Sequence, residues 1–245
     1  MSGNRSSRRS RLIRWIIFLV ILFPASGGIV YLFWYSPVFI VKGVEFSGAT
    51  LSQEEANDLL GGSPVGYNIL FWQPSEAHVL GPRFASLEIN RNYFSRTIEV
   101  SITERDKDMV WCFETNSVCY WVDGSGFIFS QAPLFSGSLV IVITDSRETP
   151  LEIGSYVLSS SMNGILHKIL AILAKLNVRT DNIRLENIKL RELIARVHSG
   201  PRIIFSLDID PAFTETAISS LIKAGSWSKI KSLNLTVPDR AYPSF

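Results

Sequence analysis

The sequence predicts an α+β protein: an N-terminal transmembrane helix followed by two exterior domains, each mixing strands with helices. Three observations lead there. Residues 15–35 contain no charged side chain. Arginines crowd the segment before them, and no acidic residue occurs ahead of Glu45. Beyond Tyr35, stretches of alternating apolar and polar residues are interleaved with capped helical segments and glycine or proline turns.

The apolar stretch WIIFLVILFPASGGIVYLFWY spans about 31 Å as a helix at ~1.5 Å per residue, matching a hydrocarbon core of roughly 30 Å. Trp15 at one end and Tyr31, Trp34 and Tyr35 at the other suit the headgroup level. Pro24 and the Ser26-Gly27-Gly28 run weaken a soluble helix but are tolerated in a membrane one. A cleaved secretory signal would end near residues 25–28, yet the apolar sequence continues to Tyr35, which favours a retained anchor. Arg5, Arg8, Arg9, Arg11 and Arg14 precede the span. The positive-inside rule therefore places residues 1–14 in the cytoplasm as a tail and everything after Tyr35 outside. A nucleic-acid-binding tail is the other use of such a run, and its position against an apolar span favours topology.

The chain carries 24 Lys and Arg against 22 Asp and Glu. Without the five tail arginines the remainder has 19 cations and 22 acids, so the exterior is mildly acidic, near −3. The basic isoelectric point is a property of the tail and implies no nucleic-acid partner. About 210 exterior residues suffice for two small domains. The two cysteines, Cys112 and Cys119, flank an ETNS turn and fall opposite each other if residues 109–114 and 117–122 form a hairpin. An oxidising exterior would allow them to bond. Two small buried thiols are an equally ordinary outcome. Metal binding is disfavoured because four ligands at known spacing are missing.

After the anchor, residues 39–46 read as a strand ended by Ser47-Gly48. Ser52 followed by Glu55 is a capping box, and Gly61-Gly62 stops that helix. Pro74 opens a second short helix that ends before Gly81-Pro82. Residues 84–91 and 97–103 form two strands about a turn at 92–96, with Ile98, Val100 and Ile102 on one face. The order is β-α-α-β-β. Farther on, Asp123-Gly124-Ser125-Gly126 reads as a tight turn and not as a calcium loop, because Phe127, Ile128 and Phe129 occupy the next ligand offsets. Residues 139–143 (LVIVI) predict a buried strand, and 162–178 an amphipathic helix with Ile165, Leu166, Ile169, Leu173 and Leu176 inward and Asn163 outward. Residues 193–198 and 202–207 pair around Ser199-Gly200-Pro201. Asp210-Pro211 opens a helix closed by Gly225, and 230–237 (IKSLNLTV) is the last predicted strand.

A β-α-α-β-β domain directly after a single span resembles the POTRA (polypeptide-transport-associated) domain. RNYFSRTIEVSITERDKDMVW is similar to a stretch of the bacterial cell-division family FtsQ/DivIB, with Phe94-Ser95 where that family has Phe-Pro. YWVDGSGFIF (residues 120–129) and LNLTVPDRAY (233–242) resemble two further family phrases, Asn234 and Thr236 replacing an Asp and an Arg. The resemblance implies a tail at 1–14, an anchor at 15–35, a POTRA domain at 36–105 and a second β-rich domain at 106–245.

It also implies a non-enzymatic divisome scaffold in the cytoplasmic membrane at the division septum. Such a scaffold binds two small bitopic partners, FtsB-like and FtsL-like, and helps regulate septal peptidoglycan synthesis. The partner edge of the family maps to Ser232, Leu233, Asn234, Leu235, Thr236 and Val237, where a partner segment would lengthen the sheet; the other reading of this strand is an internal one whose edge is already covered. The alternative is a POTRA-bearing chaperone or transport component of the envelope, although no barrel pattern is visible. The residues themselves point to no catalysis, cofactor or small-molecule substrate. His78, His167 and His198 are isolated, and the S-x-x-K phrases at 220–223 and 228–231 have no accompanying K-T-G.

Overall fold

The computed structural model describes residues 5–74, 81–134 and 140–245. They divide between two compact units, Met1–Glu104 and Arg105–Phe245.

The first unit begins with α1 (Arg5–Tyr35), one helix that runs unbroken through Pro24. Proline removes a helical N–H, and two residues on Ser26 Oγ donates to the Phe23 carbonyl at 2.9 Å. Trp15–Tyr35 is long and apolar enough to cross a membrane, and none of it is buried against protein. Residues expected to open a strand at 39 form a 3-10 turn instead (Pro37–Phe39), capped by Ser36 Oγ on the Val38 amide. Pro37 presets that turn, so the strand starts later.

Strand β1 (Gly43–Ser47) leads to α2 (Gln53–Leu60), then β2 (Phe84–Asn92) and β3 (Thr97–Glu104). The capping box forms as expected: the Glu55 amide donates to Ser52 Oγ at 3.2 Å and the Ser52 amide to Glu55 Oε2 at 2.9 Å. The Ser52 backbone and hydroxyl bonds hold the Glu55 carboxyl below its ordinary range. Gly61, at φ 72°, ends the helix left-handed. The sheet order is β1-β3-β2, with β1 parallel and β2 antiparallel to the central β3. Ile98, Val100 and Ile102 of β3 are buried with Val41, Leu60 and Ile69. Gly48 is required where the chain leaves β1: its φ is +92°, and a Cβ there would sit 2.1 Å from the Ile102 carbonyl oxygen. The helix predicted from Pro74 falls on residues 75–80, outside the described residues.

The second unit comprises β4 (Met109–Phe113), β5 (Val118–Val122), β6 (Ile128–Ala132), β7 (Val142–Asp145), α3 (Ser160–Lys175), β8 (Thr180–Asn187), β9 (Glu192–Val197), β10 (Arg202–Ser206), α4 (Ala212–Lys223), β11 (Ser232–Leu235) and β12 (Tyr242–Ser244). One nine-stranded mixed sheet runs β12-β11-β10-β9-β8-β7-β4-β5-β6. Strand β7 pairs parallel with both β4 and β8, joining the antiparallel β4-β5-β6 meander to the mixed β8–β12 block. Leu166, Ile169 and Leu173 of α3 and Ile218 of α4 share a core with Trp111, Phe205 and other strand residues. Asn163, expected outward, is buried and donates from Nδ2 to the Gly124 carbonyl at 2.9 Å. Its burial follows from that turn, which the helix start is built to hold.

A polar cluster is sealed into this core. Asp145 is fully buried, and its Oδ2 accepts from Trp111 Nε1 at 2.8 Å and from Arg147 Nε at 2.7 Å. Arg147 also donates its backbone N–H to Asp145 Oδ1 and its Nη2 to the Val157 carbonyl. A buried carboxylate is tolerable when paired and fully hydrogen-bonded, as here.

Candidate docking edge

The predicted partner strand forms, at Ser232–Leu235, but it is not the border of the sheet. On one side β11 pairs parallel with β10, and on the other Ser232, Leu233 and Asn234 face Ser244, Pro243 and Tyr242 of β12. This corrects the edge expected at residues 232–237. Leu233 and Leu235 are buried in the core. Asn234 Oδ1 accepts from the Thr236 amide at 2.9 Å and from Thr236 Oγ1 at 2.7 Å, which folds the backbone away after Leu235. Val237 then lies in a turn closed by the Arg240 amide on its carbonyl, with Asp239 left-handed at φ 55°. The chain reverses there, and its own last strand covers β11.

The outer border is therefore β12, three residues that are all exposed. Its hydrogen-bonding sense follows from Pro243. Proline has no N–H, so the Leu233–Pro243 pair cannot exchange both ladder bonds. The ladder to β11 must run through Tyr242 and Ser244, leaving Ala241, Pro243 and Phe245 to direct their main-chain polar groups outward. Within β12 the outward position is Pro243, which offers a carbonyl and no amide. Beside this border, Pro211, Phe213, Leu235, Val237, Asp239 and Arg240 line a shallow hollow. At its rim Asp210 accepts from Lys168 and from the Ala212 amide, and these bonds hold its carboxyl below the ordinary range.

The Asp123-Gly124-Ser125-Gly126 segment makes a tight turn between β5 and β6. Asp123 Oδ1 accepts from Ser125 N, Ser125 Oγ and Phe127 N, while Oδ2 accepts from Arg105 Nη1 at 2.6 Å. Burial pushes the pKa of this carboxyl up, but the Ser125, Phe127 and Arg105 bonds together outweigh it and leave the pKa lowered. Every oxygen of the aspartate is thus occupied by protein donors. Gly126, at φ +87°, lies against Asn163, where a Cβ would approach the amide to 3.2 Å.

Cys112 and Cys119 are directly opposite in the β4–β5 ladder, with Cα atoms 4.0 Å apart, and their sulfurs are bonded. His198 Nδ1 lies 2.9 Å from Asp181 Oδ1 on the surface, and His167 Nε2 lies 3.7 Å from Asp108. His78 lies outside the described residues. Ser220 and Ser228 are both exposed, and so is Ile222. Among the described residues no three His, Cys, Asp or Glu side chains come together as a metal site. The tail arginines Arg8, Arg9, Arg11 and Arg14 continue α1 on the N-terminal side of the apolar span.

Two features of this edge escaped the sequence. Strand β12 was missed because Tyr242-Pro243-Ser244 contains a proline, which argues against an interior strand and is compatible only with a border. The covering of β11 follows from the Pro238-Asp239 turn, whose left-handed aspartate is a recognisable reversal signal. No protein-family model matches this chain, and no curated protein is significantly similar to it.

Proposed function

We propose that this chain is a membrane-anchored docking platform whose partner adds a strand to β12. The observation that carries the reading is the border itself: an exposed three-residue strand with unpaired main-chain groups, seated on a buried and well-packed β11. A sheet edge of this kind gives affinity through main-chain bonds and selectivity through the alternating side chains. Tyr242 and Phe245 supply exposed aromatic anchors beside it.

The family resemblance gives the platform its setting. It suggests a non-enzymatic divisome scaffold of the FtsQ/DivIB kind, with residues 36–105 as its POTRA domain and 106–245 as its β-rich domain. Its partners are FtsB-like and FtsL-like bitopic proteins, and its site is the cytoplasmic membrane at the septum. Residues 1–14 lie inside, and both folded units lie outside. The single apolar helix and the β1-α2-β2-β3 order support this reading.

The test places a benzophenone amino acid at Tyr242 in dividing cells, a conservative exchange on an exposed ring. Crosslinking to small single-span membrane proteins is the expected result. Phe245→Pro removes an outward donor without touching the β11 ladder and should reduce that capture. Capture unaffected by Phe245→Pro, or cells that divide normally after depletion of the protein, would sink the proposal.

A further inference from the structure

Three segments of the first unit, distant in sequence, are tied together where α1 ends. Asn68 Nδ2 donates to the Phe33 carbonyl at 2.8 Å and to the Trp34 carbonyl at 3.3 Å, closing the last turn of the helix. The Trp34 and Phe71 rings stack 4.4 Å apart. The loop carrying Asn68 is bonded to the segment after the helix by Val41 N to Tyr67 O at 2.9 Å and Ile69 N to Phe39 O at 2.7 Å. The β2–β3 turn joins them through two arginines. Arg96 Nη1 donates to the Pro37 carbonyl at 3.0 Å, and Arg91 Nη2 to the Trp72 carbonyl at 2.8 Å.

Each segment brings bare apolar surface to this end. Val38 follows the helix, Val65, Tyr67 and Phe71 lie on the loop, and Tyr93 and Phe94 form the turn; all are exposed, and Phe94 is completely so. Single exposed hydrophobic residues are commonplace, but a group drawn from three segments marks an interaction surface. Lys42 is exposed alongside, and Arg96 is partly so. The nearest acid on β3, Glu99, is occupied by Asn92 Nδ2 at 2.9 Å.

We propose that this end of the unit is seated in a phospholipid surface, with Phe94, Tyr93, Tyr67 and Phe71 immersed at the headgroup–acyl boundary and Lys42 and Arg96 at the phosphates. The inference rests on the reading of Trp15–Tyr35 as a membrane span. Lipid is chosen as the occupant by continuity. The surface caps the very turn whose Tyr31, Trp34 and Tyr35 mark the interface, so a bilayer enclosing the helix reaches it without further movement. Aromatic rings with a polar tip suit that depth, and cations near it meet anionic headgroups. The unit then rides on the bilayer, held at a fixed depth by its own loops.

The test uses the full unaltered chain in vesicles of phosphatidylethanolamine and phosphatidylglycerol, with a photoreactive phospholipid whose diazirine lies near the glycerol. Trypsin releases residues 92–96 (NYFSR), 43–83, 97–105 and the span, 15–42, as separate peptides. Residues 92–96 and 43–83 should carry several-fold more lipid per peptide than 97–105. A second lipid with its diazirine at the acyl end should label 15–42. Labelled 15–42 with 92–96 no richer in lipid than 97–105 overturns the seating and leaves the anchor standing. Unlabelled 15–42 removes the anchor and the seating with it. In the Phe94→Asp variant the adducts on 43–83 should fall several-fold; unchanged adducts there overturn the role of the turn. Labelling of 92–96 that requires a second membrane protein also overturns lipid as the occupant.

Discussion

Replacing Asp145 with alanine tests the energetic centre of the second unit. The carboxylate is fully buried and receives the Trp111 indole N–H, the Arg147 backbone N–H and the Arg147 guanidinium. Its loss strands a buried indole donor, costing about 1–3 kcal/mol, and an arginine charge, whose buried partner typically accounts for about 3–5 kcal/mol. Arg147 keeps the Val157 carbonyl and the face of Phe113, and its side chain is 15% exposed, so relaxation toward water offsets part of the loss. A net cost of about 3–4 kcal/mol is expected, against a total stability of about 5–15 kcal/mol for an ordinary domain. Urea titration of the full chain in detergent micelles, followed by tryptophan fluorescence, should show the midpoint falling by about 1–3 M. Adding Arg147→Met removes the orphaned charge and should restore about 1–2 kcal/mol. An Asp145→Ala loss below about 1 kcal/mol, or a double variant weaker than the single one, would refute the reasoning.

Other outcomes are expected from features already described. Reducing the Cys112–Cys119 bond, which closes a short loop with a sequence separation of 7, should lower stability by about 2–3 kcal/mol on chain-entropy grounds, read as a reduced urea midpoint. Ser52→Ala removes the acceptor of the Glu55 amide and should cost about 1 kcal/mol, seen in the thermal unfolding of the first unit. The lowered Asp123 pKa contributes stability that is complete above its ordinary value of 3.8 and is lost as pH falls through the folded value. Unfolding midpoints of the parent should therefore drop more steeply than those of Asp123→Asn below about pH 4. Equal slopes would show that the turn bonds do not favour the charged form.

Much of the architecture was legible because each element carried its own signal. The Ser52–Glu55 pair and Gly61 bracket α2, and the alternation through Ile98, Val100 and Ile102 fixes the buried face of β3. The hairpin that opposes Cys112 and Cys119 was legible too, though not whether their sulfurs are joined. Strand β8, in the middle of the nine-stranded sheet, went unseen. Only Ile183 and Leu185 of its eight residues are buried, and Asp181, Arg184 and Glu186 interrupt the apolar pattern that marks a central strand. The docking edge was misplaced by one strand for a non-local reason. Whether β11 is a border depends on where Tyr242 returns, and Leu233 and Leu235 carry no trace of that. The strand predicted from 39 began too early, since Pro37 favours a turn; of the one predicted over 139–143, residue 139 lies outside the described residues and the ladder runs over Val142–Asp145.

Pro243 has a consequence for two molecules meeting side by side. Main-chain zippering between identical rims needs each rim to give about as many amide protons as it takes, and this rim is one short at its midpoint. A twin copy arriving with the same deficit finds an acceptor facing an acceptor at that rung. A visiting segment without proline there can fill the rung from its own backbone. The missing hydrogen thus biases the border against its own kind and toward strangers, and exchanging Pro243 for a residue that has one should make the protein self-associate.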